Sequence, residues 1–345
     1  MGKNMKKQLH KIVLTTILAS AFLVAGTASA RDQIRAVGSS TVYPFATVAA
    51  EEFGKNTNFK TPIIESTGTG GGFKLFCAGV GESFPDFANA SRAIKSSEKE
   101  TCMENGVTDI TEIKIGFDGI VIANSKQSPK FNLTKEQVFL ALAKKVPHQG
   151  QLVDNKYTKW SEIDAKLPAE PIEVYGPPPT SGTRDAFVEL VMEGSCMEHP
   201  LFMQAFPDKD ARKNSCHLIR EDGKYIEAGE NDNLMVQKLK SNVHALGIFG
   251  YSFLEQNMDS IQGSAIGGID PTFDNISSGS YSISRPLFMY AKNAHIKLVS
   301  GMKEFIQEIT SDKAMGQDGY LAEKGLIPLP AEELKAVQNK VKPIL

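Results

Sequence analysis

GSSTVYPFATVAAEEFG, residues 38–54, sets three hydroxyls between a glycine and a proline and then reads as a helix. After Ser39, Ser40 and Thr41 comes Pro44, and Phe45, Val48, Ala49 and Phe53 fall at one-face helical spacing before Gly54. Proline in a first turn and glycine just past the last one mark the limits of a helix. The pattern recurs twice. TGTGGG at 67–72 leads into Phe73, Phe76 and Cys77, and PTSGTRDAF at 179–187 leads into Leu190 and Val191 and toward Gly194.

A helix start exposes unpaired N–H groups and carries partial positive charge, so it is a ready place for an anion. Ser and Thr are also preferred capping residues, and any one bend is compatible with capping alone. Three such bends, each with more glycine and hydroxyl than a cap needs, point to one small oxyanion held by all three.

Around the bends, short β-rich runs alternate with helical ones. TPIIES (61–66), GIVIANS (119–125), IEVYG (172–176), ALGIFGYS (245–252) and SRPLFMYAK (284–292) read as strands. TKEQVFLALAKK (134–145), TRDAFVELVMEG (183–194), IKLVSGMKEFIQEITS (296–311) and AEELKAVQNK (331–340) read as helical segments. Such alternation predicts an α/β fold with mostly parallel pairing.

Residues 1–30 read as a secretion leader: a basic start, the apolar run IVLTTILASAFLVAG, and an Ala28-Ser29-Ala30 cleavage signal. Its removal after Ala30 takes four lysines and no acids, shifting the formal charge from −2 to −6. An acidic mature chain is a poor nucleic-acid partner, since phosphate-backbone binding needs a basic face. Cys77, Cys102, Cys196 and Cys216 suit an oxidising compartment and suggest the pairs Cys77–Cys102 and Cys196–Cys216, although four cysteines allow three connectivities. The absence of C-x-x-C and of ligand-spaced histidines argues against zinc.

GTGGGFK at 68–74 lacks the Lys-Ser/Thr of a phosphate-binding nucleotide loop and breaks the dinucleotide glycine spacing at Phe73. G-x-S-x-G and H-E-x-x-H are missing, and Asp109, Glu112, Asp118 and Asp185 form no acid–base couple by spacing. No catalytic residue, cofactor or metal is therefore assigned.

GSST, STGTGGGFKLF, PDFANASRAI, FDGIVIANS, PTSGTRDAF, GENDN, ALGIFGYSF and SISRPLFMY occur in the order found in periplasmic phosphate-binding proteins of ABC importers, and the mature chain resembles that family along its whole length. The resemblance implies a type II periplasmic-binding fold. Two α/β lobes, each a mixed sheet flanked by helices, would be joined by two crossover strands, GIVIAN and SRPLFMY. Lobe I would comprise 31–122 with 285–345, and lobe II 123–284. It further implies a periplasmic monomer without enzymatic activity, with inorganic phosphate as ligand and a membrane-embedded ABC permease as partner. A receptor for another oxyanion such as sulfate, or a secreted phosphoryl-handling hydrolase, are the competing readings.

Carried over residue by residue, Ser40 and Thr41 match the first binding loop, Thr69 and Gly70 the second, and Ser181, Gly182 and Thr183 the S-G-T loop. Ser91 and Arg92 fall where the family has a serine and an aspartate, and Pro177 stands where it has an arginine. Arg184, directly after Thr183, is the expected substitute cation, so Arg92 and Arg184 are candidate anion forks. With the aspartate missing, Asp118 is the expected acceptor for the proton that phosphate carries and sulfate lacks.

Overall fold

The computed structural model describes residues 31–179, 181–229 and 232–345; the expected leader lies outside the described residues. Nine strands form one sheet: β1 (Arg35–Gly38), β2 (Ile63–Ser66), β3 (Phe87–Ala90), β4 (Ile110–Ser125), β5 (Val174–Gly176), β6 (Tyr225–Glu227), β7 (Leu246–Gly250), β8 (Ile261–Gly263) and β9 (Ser284–Lys292). Their order is β2-β1-β3-β9-β4-β7-β5-β6, with β8 also on β4.

The expectation of mostly parallel pairing holds only in the two flanks. There β1 pairs in parallel with β2 and β3, and β5 with β6 and β7. The two long central strands are antiparallel to their neighbours, β9 to β3 and β4, and β4 to β7 and β8. Single-sequence patterning shows strand–helix alternation but not the direction of a strand that returns from the far end of the chain.

β4 is longer than the run read from the sequence. It extends over 16 residues and changes partner midway. Residues 110–119 pair with β9, and residues 120–124 pair with β7. The change falls at Gly119, where the Ile120 N–H donates to the Ile283 carbonyl at 2.9 Å. Together β4 and β9 form the seam between two halves of a two-lobed α/β molecule.

Helices α1 (Tyr43–Asn56), α2 (Thr69–Phe76) and α3 (Ser96–Glu104) lie against the β1–β3 flank. α1 buries Phe45, Ala46, Ala49, Ala50 and Phe53, the stripe its spacing predicts except that Val48 is only partly covered. On the other side of the flank, Phe73, Phe76, Ala88, Ala90, Val107, Phe288 and Tyr290 make a smaller core around the Cys77–Cys102 bond. In the second half α4 (Gly182–Phe187) continues through a π-helical turn at Val188–Met192 into a further helix ending at Cys196. This helix runs past Gly194, the expected end. Cys196, bonded to Cys216, lies at its end.

The Cys196–Cys216 bond closes a loop of 20 residues. Replacing both cysteines by serine should lower unfolding free energy by about 3 kcal/mol, as a loop of that size implies. Denaturant titration of the double variant against the parent, both oxidised, checks this; equal midpoints would show that the bond stabilises nothing.

Candidate functional site

The ends of β1, β2 and β3 bring the first two bends together. Gly38 has φ +140°, and a Cβ there would stand 2.1 Å from the Asn89 carbonyl oxygen, so β1 and β3 touch backbone to backbone where the chain turns. The Ser39 N–H donates to that carbonyl at 2.9 Å, and the Thr67 N–H donates to the Gly38 carbonyl at 2.8 Å. Both bends are thus fixed by the sheet.

At the first bend Ser39 serves the helix start, its Oγ accepting from the Val42 N–H at 3.4 Å, while Val42 at the N-cap position of α1 makes no side-chain bond. The hydroxyls of Ser40 and Thr41 reach outward instead. Ser40 Oγ donates to a carboxylate oxygen of Asp185, which lies in the other half of the molecule. Thr41 Oγ1 accepts from Arg285 Nη2 at 2.7 Å.

At the second bend Thr69 Oγ1 accepts from the Ser91 N–H at 3.1 Å, and the two side-chain hydroxyls are also bonded at 3.1 Å. A Cβ on Gly70 would meet no atom within 4 Å, so its backbone faces open space.

Capping does operate at the third bend. Ser181 Oγ accepts from the Thr183 N–H at 3.2 Å. A Cβ on Gly182 would lie 3.1 Å from the Ser40 carbonyl oxygen and 3.2 Å from Thr41 Cα. The first and third bends therefore face each other directly across the join.

The two candidate arginines separate. Arg92 directs both guanidinium nitrogens at Glu98, at 2.9 and 2.7 Å. Burial pushes the Glu98 carboxyl up, but Arg92 and the Lys95 N–H outweigh it and hold the group below its usual range. The Arg92 fork is therefore paired at the start of α3 with a carboxylate six residues away. Arg184 stays beside its bend, with Nη1 donating to the Pro177 carbonyl at 3.1 Å and the guanidinium 4.8 Å from the Tyr225 ring centre. Tyr225 Oη donates to the same carbonyl at 2.7 Å, and burial pushes its hydroxyl up to about 12.

Arg285, which sequence reasoning passed over, touches the first bend directly. It is 8 % exposed and holds Thr41 through Nη2, Glu189 through Nη1, and Asp118 across a 3.5 Å gap from Nε. Register explains the last contact, because Arg285 on β9 stands directly opposite Asp118 on β4. Desolvation raises the Asp118 carboxyl, Arg285 lowers it, and Glu189 raises it further, for a net upward shift. The structure thus places Asp118 behind Arg285, one layer from the bend hydroxyls. The signal that could have revealed Arg285 was a cation near the start of a largely apolar strand, SRPLFMYAK, whose other cation is Lys292 at its end.

Among the described residues no group of three or more His, Cys, Asp or Glu could hold a metal ion, and no helix is long and apolar enough to cross a membrane. A cavity of about 310 Å³ bordered by Tyr251, Glu255, Asp318 and Ile327 contains none of the bend residues.

The family model for the PBP superfamily domain matches residues 23–313, and the chain belongs to that superfamily. It is 30 % identical over 319 residues to the phosphate-binding protein PstS of Staphylococcus saprophyticus, covering 91 % of this chain and 85 % of the relative. It is 28 % identical over 335 residues to the protein SphX of Synechococcus elongatus, covering 95 % and 87 %. Among solved structures it resembles a possible phosphate binding protein from Planctomyces limnophilus, with a TM-score of 0.73, 29 % identity, and coverage of 92 % of this chain and all of that one.

Arg285→Met removes the cation that Asp118 and Glu189 share and should cost about 3–5 kcal/mol at neutral pH, the usual result of stranding a buried partner. Without Arg285 the folded Asp118 binds its proton more tightly than the unfolded chain does, so stability falls as pH rises through the carboxylate range. The deficit should therefore shrink on acidification toward pH ~4. Denaturant melts of parent and variant across that range test it; a deficit independent of pH would mean that Asp118 does not sense Arg285.

Proposed function

We propose that this chain is an exported periplasmic receptor that captures inorganic phosphate between two lobes, 31–122 with 285–345 and 123–284, and delivers it to a membrane-embedded ABC permease. The observation that carries this reading is the meeting of the first and third bends, with Gly182 against the backbone of Ser40 and Thr41. Hydroxyls and N–H groups from both lobes then converge on one place, the arrangement expected for a small anion taken out of water. The relatives named as phosphate-binding proteins support the ligand.

In this assignment Ser40, Thr41, Thr69, Gly70, Ser91, Ser181, Gly182 and Thr183 supply hydroxyl or backbone donors, and Arg184 supplies charge. Arg285 fixes Thr41 and is itself oriented by Asp118. Arg92 serves the lobe I scaffold. The protein works as a monomer, without catalysis, after loss of residues 1–30.

Calorimetric titration with phosphate should give one site per chain. Saturation at a hundredfold over Kd should then add about 2.7 kcal/mol to folding stability. Ser181→Ala combined with Thr183→Val removes two hydroxyl donors to a charged ligand, at roughly 1.5–3 kcal/mol each. Affinity should fall by on the order of 10²-fold or more. Undiminished binding would reduce the third bend to a helix cap, and steady turnover of a chromogenic phosphate ester would identify a hydrolase instead.

A further inference from the structure

We propose that the cavity between Tyr251 and Ile327 is a second ligand site, and that it takes a small primary amine with a short apolar body. At about 310 Å³ it falls in the size range of small-molecule sites and shares no residue with the three bends.

Its lining is acidic and unneutralised. Glu255, Asp318 and Glu323 border the cavity and no lysine or arginine does. Among the described residues none of the three carboxylates forms a salt bridge. Tyr251 Oη donates to Glu255 Oε1 at 3.0 Å and so fixes its direction. Carboxylates facing one hollow repel each other, and a cation among them relieves the repulsion. Ser252 supplies an independent sign of a ligand. It is 8 % exposed, lines the cavity, and its Oγ has no hydrogen-bond partner. A Cβ on Gly325 would stand 3.2 Å from that oxygen, so the hydroxyl is turned from one wall toward the other. A buried hydroxyl left unpaired is costly, and an incoming N–H answers it. An ammonium has three N–H donors to share between such acceptors.

A bare metal ion fits less well. Among the described residues no three acidic groups stand close enough together to hold one. Phe273, Leu326 and Ile327 also give the lining apolar surface that only a carbon body would cover.

The two walls belong to different parts of β4. Ile327 exchanges backbone bonds with Phe117 at 2.8 and 3.0 Å, whereas Tyr251 directly follows β7, which pairs with residues 120–124. Between these parts lies Gly119, where a Cβ would meet Ile327 Cδ1 at 2.9 Å and Ile276 Cδ1 at 3.0 Å. A ligand touching both walls favours one relative placement of the halves, so its binding and that of the anion at the bends are linked. That linkage, unlike the amine site, rests on the phosphate reading above.

A lysine side chain of another protein carries the same ammonium on an apolar stem. The recessed shape favours the free amine, which brings no backbone to the rim. Calorimetric titration of the exported chain with 2-phenylethylamine, methylamine, 2-phenylethanol and Nα-acetyl-lysine amide separates these cases. 2-Phenylethylamine should occupy one site, with methylamine and 2-phenylethanol each weaker by ~10-fold or more. The triple variant Glu255→Gln, Asp318→Asn, Glu323→Gln should bind the amine no better than the alcohol, and Ser252→Ala should weaken it by about tenfold. Saturating phosphate should shift the amine affinity of the parent by about fivefold or more. Equal amine binding by parent and triple variant would reduce the effect to the acidic surface and overturn the proposal. So would methylamine binding as tightly as 2-phenylethylamine, or tighter binding of the lysine amide, which would assign the cavity to a partner's side chain. An amine affinity indifferent to phosphate, in a chain that binds both, would overturn the linkage. A chain that binds the amine but no phosphate would refute the phosphate reading and leave this site standing.

Discussion

A single guanidinium, that of Arg285, connects parts of the chain that are otherwise far apart. A buried cation is tolerable only when its donors are matched by acceptors held in place, because the desolvation of the charge must be offset by pairing. Here Glu189 on the π-helical turn after α4 and Thr41 in the first bend accept from the guanidinium, and the Asp118 carboxylate on β4 stands 3.5 Å from Nε as a counter-charge. The halves of the molecule are consequently ordered about one side chain, and Thr41 is aimed by the same interaction that keeps Asp118 ionisable in a covered position.

The three bends look alike in sequence and behave differently in space. Ser181 satisfies an N–H of its own helix, whereas at the first bend Ser39 alone does so and Ser40 and Thr41 reach across to Asp185 and Arg285. A hydroxyl spent on a cap helps to hold a helix; one released from that duty can bind a partner or a ligand. The glycines set the spacing between bends, since any side chain at 182 would press on the backbone of Ser40.

Local features were legible in the sequence because local chemistry produces them. The α1 stripe, the β9 strand and the three bends follow from periodicity, proline and glycine placement, and hydroxyl content. Arg285 was not legible in this way, since its importance arises from the register that sets it opposite Asp118, more than a hundred residues earlier in the chain. The reversed direction of β4 and β9 was hidden for the same reason. The partner of Arg92 lies nearer: Glu98 is six residues away, in the first turn of a helix, and also accepts from the Lys95 N–H.

β4 belongs to both halves. Its first ten residues complete one set of ladders and its last six complete another, with no break in the strand between them. Neither half can lose its share of β4 without withdrawing hydrogen bonds from the other. Heat should therefore meet one cooperative unit where the shape suggests two, and a calorimetric scan with two separated melting peaks would be incompatible with so shared a strand. The same continuity makes any hinge motion a twist spread along the β4–β9 ribbon, and not the swing of a loose tether.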